Sequence, residues 1–433
     1  MSAIQAFVEI RPTEKQIMSP KKQTLQKKAL HINTRVPPKF AITVGMILLL
    51  GSGLSACNRG IKPEVNEPTK LVKLSQNVAV VSPVMTSSVS AKDKNDTGRL
   101  QVGLVPGVQT ANGTMTLAVT ASPDGKVSAQ SLAGKGAWQI DLNESILSGV
   151  SISEDGNTAI ISTKSAKMIA LNTATGAMRW QTTLKGTVLA PALIHANRVI
   201  VMSNDGVVHG LSEQTGDVVW QFATQTPPIS VRGSAMPTLL DDKTALIASS
   251  DGRLHAIDIA TGVPAWSRRV GIPSGASEVE RMTDVDATPT VDNGQLFAVS
   301  YSGQLVGVDL ASRQILFIDD LASRSALAVA DGAVVVTTLD GEVRALDRNT
   351  GATLWKSEGL KYRQLSNPVT VGNTIAIGDY EGVVHFLNAQ TGEVVSRVQS
   401  KGAVQTLDTQ TIGNTTYLTT QTNDGQVAVW QVR

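Results

Sequence analysis

Cysteine is nearly missing from this chain of 433 residues: Cys57 is the single one, so no intramolecular disulfide can form. Aromatic residues make up only 4%, thin for an ordinary core of this length. Enzyme signatures are missing too. There is no His-Glu-x-x-His, no phosphate-cradling Gly-Lys-Ser/Thr loop and no Gly-x-Ser-x-Gly elbow, which removes the zinc-protease, P-loop and hydrolase classes. The apolar run Phe40–Leu54, broken by Gly45, Gly51 and Gly53, is too short for a comfortable membrane span.

What is present is a repeat. Asp-Gly, an alternating apolar strand, Asp, Thr-Gly and Trp recur, as in Asp251-Gly252…Asp258…Thr261-Gly262…Trp266 and Asp340-Gly341…Asp347…Thr350-Gly351…Trp355. Aligned positions fall at Gly125, Ala166, Gly206, Gly252, Gly303, Gly341, Gly382 and Gly425. Asp-Gly suits a two-residue hairpin turn with positive φ, and alternation suits a strand with one buried face. An apolar run precedes each turn, for example Arg198–Met202. Four short strands per period of about 43 residues mark a β-propeller blade. The expected fold is all-β, an eight-bladed propeller of four-stranded antiparallel blades; copies one, two and five are degenerate, which leaves seven blades as the alternative. The last copy stops at Arg433 without a fourth strand, so an N-terminal strand, Leu100–Leu104, is expected to close the ring. Trp138, Trp180, Trp220, Trp266 and Trp355 share one register and are expected to wedge between neighbouring blades.

The N-terminal stretch is of another kind. Residues 1–39 hold eight Lys or Arg and only two acids, followed by the apolar run and Leu54-Ser55-Ala56-Cys57. This layout is that of an export signal. Leu-Ser-Ala-Cys resembles the bacterial lipobox, which implies lipidation of Cys57, with Asn58 after it favouring the outer membrane. Residues 1–56 then read as a lipoprotein signal peptide, with Met18 an alternative start. Residues 57–98 read as a lipidated flexible tether and residues 99–433 as the propeller. Without the leader the formal charge is about −4, and a mildly acidic domain has no electrostatic reason to bind nucleic acid.

His209, His255 and His385 each sit three residues past the turn glycine, so equal register spreads them around the ring rather than gathering them on a metal. They read as strand filler, with no metal site and no cofactor expected. Ala256-Ile257-Asp258…Thr261-Gly262…Trp266 resembles the tryptophan-docking repeat of the pyrroloquinoline-quinone propellers. The resemblance implies a rival reading as a quinoprotein dehydrogenase. Against it, those enzymes commonly carry a disulfide of adjacent cysteines, and the sequence groups no carboxylates into an evident Ca²⁺ cage.

Function in a repeat lies where the period breaks. The stretch from blade Trp to the next Pro is 11 residues for Trp180–Pro191 but 17 for Trp220–Pro237 and 23 for Trp266–Pro289. The two long connections occupy one position in successive blades, so they must emerge side by side on one face. The first carries Ile229, Val231 and Arg232; the second carries Asp284 and Asp286. Apolar residues beside one cation and two acids suit a protein-binding patch, and equally a tie between the loops through Arg232 and Asp284 or Asp286.

Ser230–Pro237 and Gly275–Pro289, with the similarity running from about Gly176 to the C-terminus, resemble the BamB family, the propeller lipoproteins of the machinery that assembles outer-membrane β-barrels. The resemblance implies a scaffold and no enzyme. It implies contact of the two loops with the periplasmic domains of BamA, carried onto Ile229, Val231, Arg232, Asp284 and Asp286. Ile229 and Val231 stand where that family has leucines. It also implies membership of the Bam complex and attachment to the outer membrane through lipid on Cys57, with edge pairing to nascent outer-membrane proteins as a further expectation.

Overall fold

Thirty-two strands and no helix make up the described residues of the computed structural model, which are 66–89, 100–110, 113–225, 235–271, 285 and 287–433. The strands form eight four-stranded antiparallel sheets, and the first strands of successive sheets are neighbours around a common axis. The protein is an eight-bladed β-propeller. Blades one to seven are consecutive in sequence, beginning at Gly103, Ser151, Leu193, Thr238, Thr290, Ala328 and Val369. Blade eight takes Val404–Ile412, Thr415–Thr422 and Gln426–Val432 from the C-terminus.

Its fourth strand is Val81–Ser88, which pairs antiparallel from Val81 opposite Val432 to Ser88 opposite Gln426. The ring is therefore closed by an N-terminal strand, but not by Leu100–Leu104. That segment leads into Gly103–Thr110, the innermost strand of blade one. The propeller's own strands thus begin inside the stretch expected to be tether. The physical reason is burial. An outermost strand hides few side chains, here only Val81 and Met85, and it accepts Pro83 beside a bulge, so it carries no strong apolar signal. The apolar Leu100, Val102 and Leu104 are wanted further inside and are all buried. The seam between blades eight and one is tied by Gln101 Nε2 to Asp408 Oδ2 (2.9 Å), by Leu104 N to Gln410 Oε1 (2.9 Å) and by Thr406 Oγ1 to Leu100 O (2.8 Å).

The turns follow one recipe. Gly206 N donates to Ser203 O (2.9 Å), and Ser203 N donates to Val207 O (2.9 Å). Only the glycine takes a positive φ, 78°. This is a type I turn with a glycine bulge rather than a two-residue hairpin with two positive φ angles. Ala166 holds the same left-handed conformation (φ 61°) in the degenerate second copy.

The tryptophans staple neighbouring blades. The Trp138, Trp180, Trp220 and Trp355 indoles donate to the carbonyls of Thr173, Glu213, Ile259 and Ala389, each in the following blade, at 2.7 to 3.0 Å. Each ring lies on that blade's Thr-Gly turn; a Cβ on Gly216 would collide with the Trp180 ring. Blade five offers Arg313 (φ 60°) where Gly262 stands in blade four. Trp266, facing it, is half-buried, as is Trp138 on Gly176, whereas Trp180, Trp220 and Trp355 are buried.

Candidate functional site

Chain direction sorts the ring into two faces. In an up-and-down blade the turn between second and third strands lies on the same face as the connection to the next blade. The Asp-Gly turns and the interblade connections therefore share one face, called here the turn face. Hydrogen bonds confirm it: Thr224 N bonds Gly206 O (2.9 Å) and Val270 N bonds Gly252 O (2.7 Å) as the fourth strands of blades three and four end.

The two long connections are rooted together there. The first leaves at Thr224 and returns at Ala235; the second leaves at Gly271 and returns through Val285 and Ala287. Met236 N donates to Thr288 Oγ1 (3.1 Å), which joins the return of one to the return of the other. Val285 N reaches Ser249 O (3.5 Å) in the turn of blade four. Ala235, Val270 and Val285 are buried in one apolar cluster with Ala248, Leu254 and Leu296. The second connection thus leaves and returns beside the turn Ser249–Gly252, whereas the first leaves at the turn of blade three and meets the second where both return. The five residues expected to meet a partner, Ile229, Val231, Arg232, Asp284 and Asp286, lie outside the described residues, as does Cys57.

The structure adds a residue that pattern reading passed over. Asp251, in that turn, has a side chain only 9% exposed, and its Oδ2 accepts no hydrogen bond. Its nearest cation is Arg253, with Nε at 3.5 Å, while the Ser249 hydroxyl bonds the other oxygen. Burial opposes its ionisation, but His255, Ser249 and Arg253 outweigh that and hold the carboxyl below its ordinary range. Asp251 is thus a largely buried, ionised carboxylate in the turn at which the second connection leaves, with one oxygen that accepts no hydrogen bond. The signal that could have found it is the spacing: both connections flank the one Asp-Gly of blade four.

The three buried histidines remain within their own blades. His209 meets Ser203 Oγ and Gln221 Nε2, both at 3.0 Å; His255 meets Ser249 Oγ (3.0 Å) and Ser267 Oγ (2.7 Å). His385 meets Asp379 Oδ2 (2.9 Å), and Arg397 Nε donates to its Nδ1 (3.1 Å), so Nε2 carries the proton and the ring is neutral. Burial lowers the pKa of His209 and His385 in keeping with this. Among the described residues, no three His, Cys, Asp or Glu side chains are grouped to hold a metal ion.

A family model described as "Outer membrane protein assembly factor BamB" matches residues 123–357 and 339–431. The chain belongs to the BamB family. The protein of that description from Burkholderia pseudomallei is 31% identical over 360 residues, 83% of this chain and 90% of its own length. The Escherichia coli K12 relative is 29% identical over 305 residues, 68% of this chain and 76% of its own. The crystal structure of BamB from Moraxella catarrhalis is 43% identical, with a TM-score of 0.73, covering 81% of this chain and all of that one. A quinohemoprotein alcohol dehydrogenase from Pseudomonas putida shares the fold alone, at 12% identity and a TM-score of 0.61.

Proposed function

We propose that this protein is a non-catalytic scaffold of outer-membrane protein assembly, held at the periplasmic face of the outer membrane by lipid on Cys57. It docks on the periplasmic domains of BamA through the two long connections of the turn face, and so takes its place in the Bam complex. Family membership supports the assembly role. The observation that carries the docking surface is the joining of the two connections where they return, by Met236 N to Thr288 Oγ1 and by one shared apolar cluster.

In this reading Ile229 and Val231 are the apolar anchors, Arg232 donates hydrogen bonds to the partner, and Asp284 and Asp286 orient Arg232 or meet a basic group on BamA. Asp251 supplies a fixed negative charge in the turn of blade four. No bond is made or broken; the protein acts by holding its partner in place. Pull-down from detergent-solubilised membranes tests it. The wild-type chain retains BamA, and Arg232→Glu loses at least tenfold of it while the unfolding midpoint is unchanged, in line with a loss of about 2 kcal/mol or more. Equal retention by the variant removes the patch, and absence of BamA from both removes the function.

A further inference from the structure

The segment before the closing strand does not simply trail off the ring. Thr69 N donates to Lys361 O (3.0 Å), and Arg363 Nη1 donates to Thr69 O (3.1 Å). Leu71 packs on the apolar core shared by blades six and seven. Further along, Arg397 Nη1 donates to Val72 O (2.6 Å), Arg397 N to Asn77 Oδ1 (2.8 Å), and Val78 N to Val395 O (3.0 Å). Residues 67–78 therefore form a strap laid antiparallel along Val394–Gln399, the outermost strand of blade seven.

The strap has a direction. Its start lies against Arg363, Tyr380 and Glu381, which belong to the connection into blade seven and to that blade's second turn, and so to the turn face. Its end lies at Val395, where the fourth strand begins, on the opposite face. There Val81 opens the closing strand opposite Val432. Without the strap, the chain preceding Val81 would leave the ring from the face remote from the two long connections. With it, that chain is carried across the thickness of a blade and leaves from the turn face.

The anchorage is built rather than incidental. Arg363 is 3% exposed and holds Asp379 Oδ2 (2.8 Å) and Glu381 as well as Thr69 O. Its guanidinium lies 5.3 Å from the centre of the Tyr380 ring. Arg397 is fixed from behind by His385. Two buried or half-buried arginines thus present donors to backbone carbonyls of the strap, and the Asn77 side chain clasps the backbone of Arg397 in return.

We infer that the strap sets the polarity of the ring on the membrane: it brings the turn face, the one that bears the two long connections, towards a lipid surface. The inference rests on the acylation of Cys57 proposed above. Cys57 and Asn66 are nine residues apart, a reach of about 30 Å at most. A blade is roughly 20 Å from face to face. To present the opposite face to the bilayer, the tether would have to spend roughly two-thirds of that reach passing back over the edge of a blade, so the exit point favours the turn face. A partner bound by the long connections is then met on the membrane side of the ring.

The test uses the acylated full-length protein in phosphatidylethanolamine–phosphatidylglycerol vesicles. An acylated Cys57 leaves an engineered cysteine as the only free thiol. Leu339→Cys places a fluorophore on an exposed turn of the turn face, and Ala352→Cys places one on the opposite face of the same blade. Energy transfer to a lipid-borne acceptor is expected to be several-fold greater from position 339. Adding Thr69→Pro and Asn77→Ala, which alter only the strap, is expected to bring the ratio towards one. Equal or reversed transfer in the protein with an intact strap overturns the inference, as does an unchanged ratio after the strap is released. Flotation separates the two claims. A chain that floats, and fails to float with Cys57→Ser, keeps the anchor even when the label ratio refutes the polarity. A chain that does not float loses both.

Discussion

Blades four and seven use the same turn position in opposite ways. In blade seven the slot six residues before the histidine is filled by Asp379, which is fully buried and accepts from Arg363 Nε (2.8 Å), His385 Nε2 (2.9 Å), Val383 N (2.9 Å) and Glu381 N (3.0 Å). Burial opposes ionisation of Asp379, but His385, the Val383 amide and Arg363 outweigh it and keep the carboxyl below the usual range. In blade four that slot holds Ser249, and the acid has moved two residues on to Asp251, whose Oδ2 is left without a hydrogen bond. Blade seven is closed over by the strap, whereas blade four lies between the two long connections. The repeat supplies equivalent positions, saturated in blade seven and left with one unbonded acceptor oxygen in blade four.

The largest expected effect tests the saturated socket. Asp379→Ala strands buried Arg363 and His385 and should cost about 3–5 kcal/mol in denaturant unfolding. Asp251→Asn should cost under about 1 kcal/mol in the same assay, while BamA retention falls several-fold. Similar unfolding costs for the two would erase the distinction drawn between the blades.

Next in size are the staples. Trp220→Ala opens a buried interblade contact and should cost about 3 kcal/mol, against about half of that for the half-buried Trp266→Ala. Thermal unfolding of the two variants side by side checks the order, and a reversed order would deny that burial of the indole sets the strength of the staple.

A pH-dependent effect is expected at the ring seam. Burial raises the pKa of Asp408 from 3.8 to about 6, against hydrogen bonds from the Thr409 amide and Gln101. A carboxyl raised in the folded state favours folding while protonated, so its contribution is full below pH 3.8 and is lost as the pH rises through about 6. Asp408→Asn should therefore remove a loss on the order of 2 kcal/mol between pH 4 and 7 and leave the variant the more stable at pH 8. Stability curves of wild type and variant that run parallel across that range would show that the seam does not hold a strained carboxyl.

Much of the fold was legible before any coordinates. Turn glycines, the Thr-Gly pairs and the tryptophan register follow from consecutive residues, and they yielded eight blades and the interblade wedges. The closing strand was misplaced because apolar content drew attention to Leu100–Leu104, whereas Val81–Ser88 buries two side chains and includes Pro83. For the site, unequal spacing pointed to two neighbouring connections, and these do meet where they return, at Met236 and Thr288. Asp251 escaped notice because it looks like every other turn aspartate; only its unfilled acceptor sets it apart.

Local chemistry alone determined the blade unit, its number and where the period breaks, because turn geometry and strand alternation are properties of neighbours in sequence. Tertiary structure decided which strand shuts the ring, from which face the chain before that strand leaves and which acceptor stays unbonded. Those outcomes depend on partners such as Asn77 with Arg397 and Gln101 with Asp408, which are more than 300 residues apart and which no short pattern encodes.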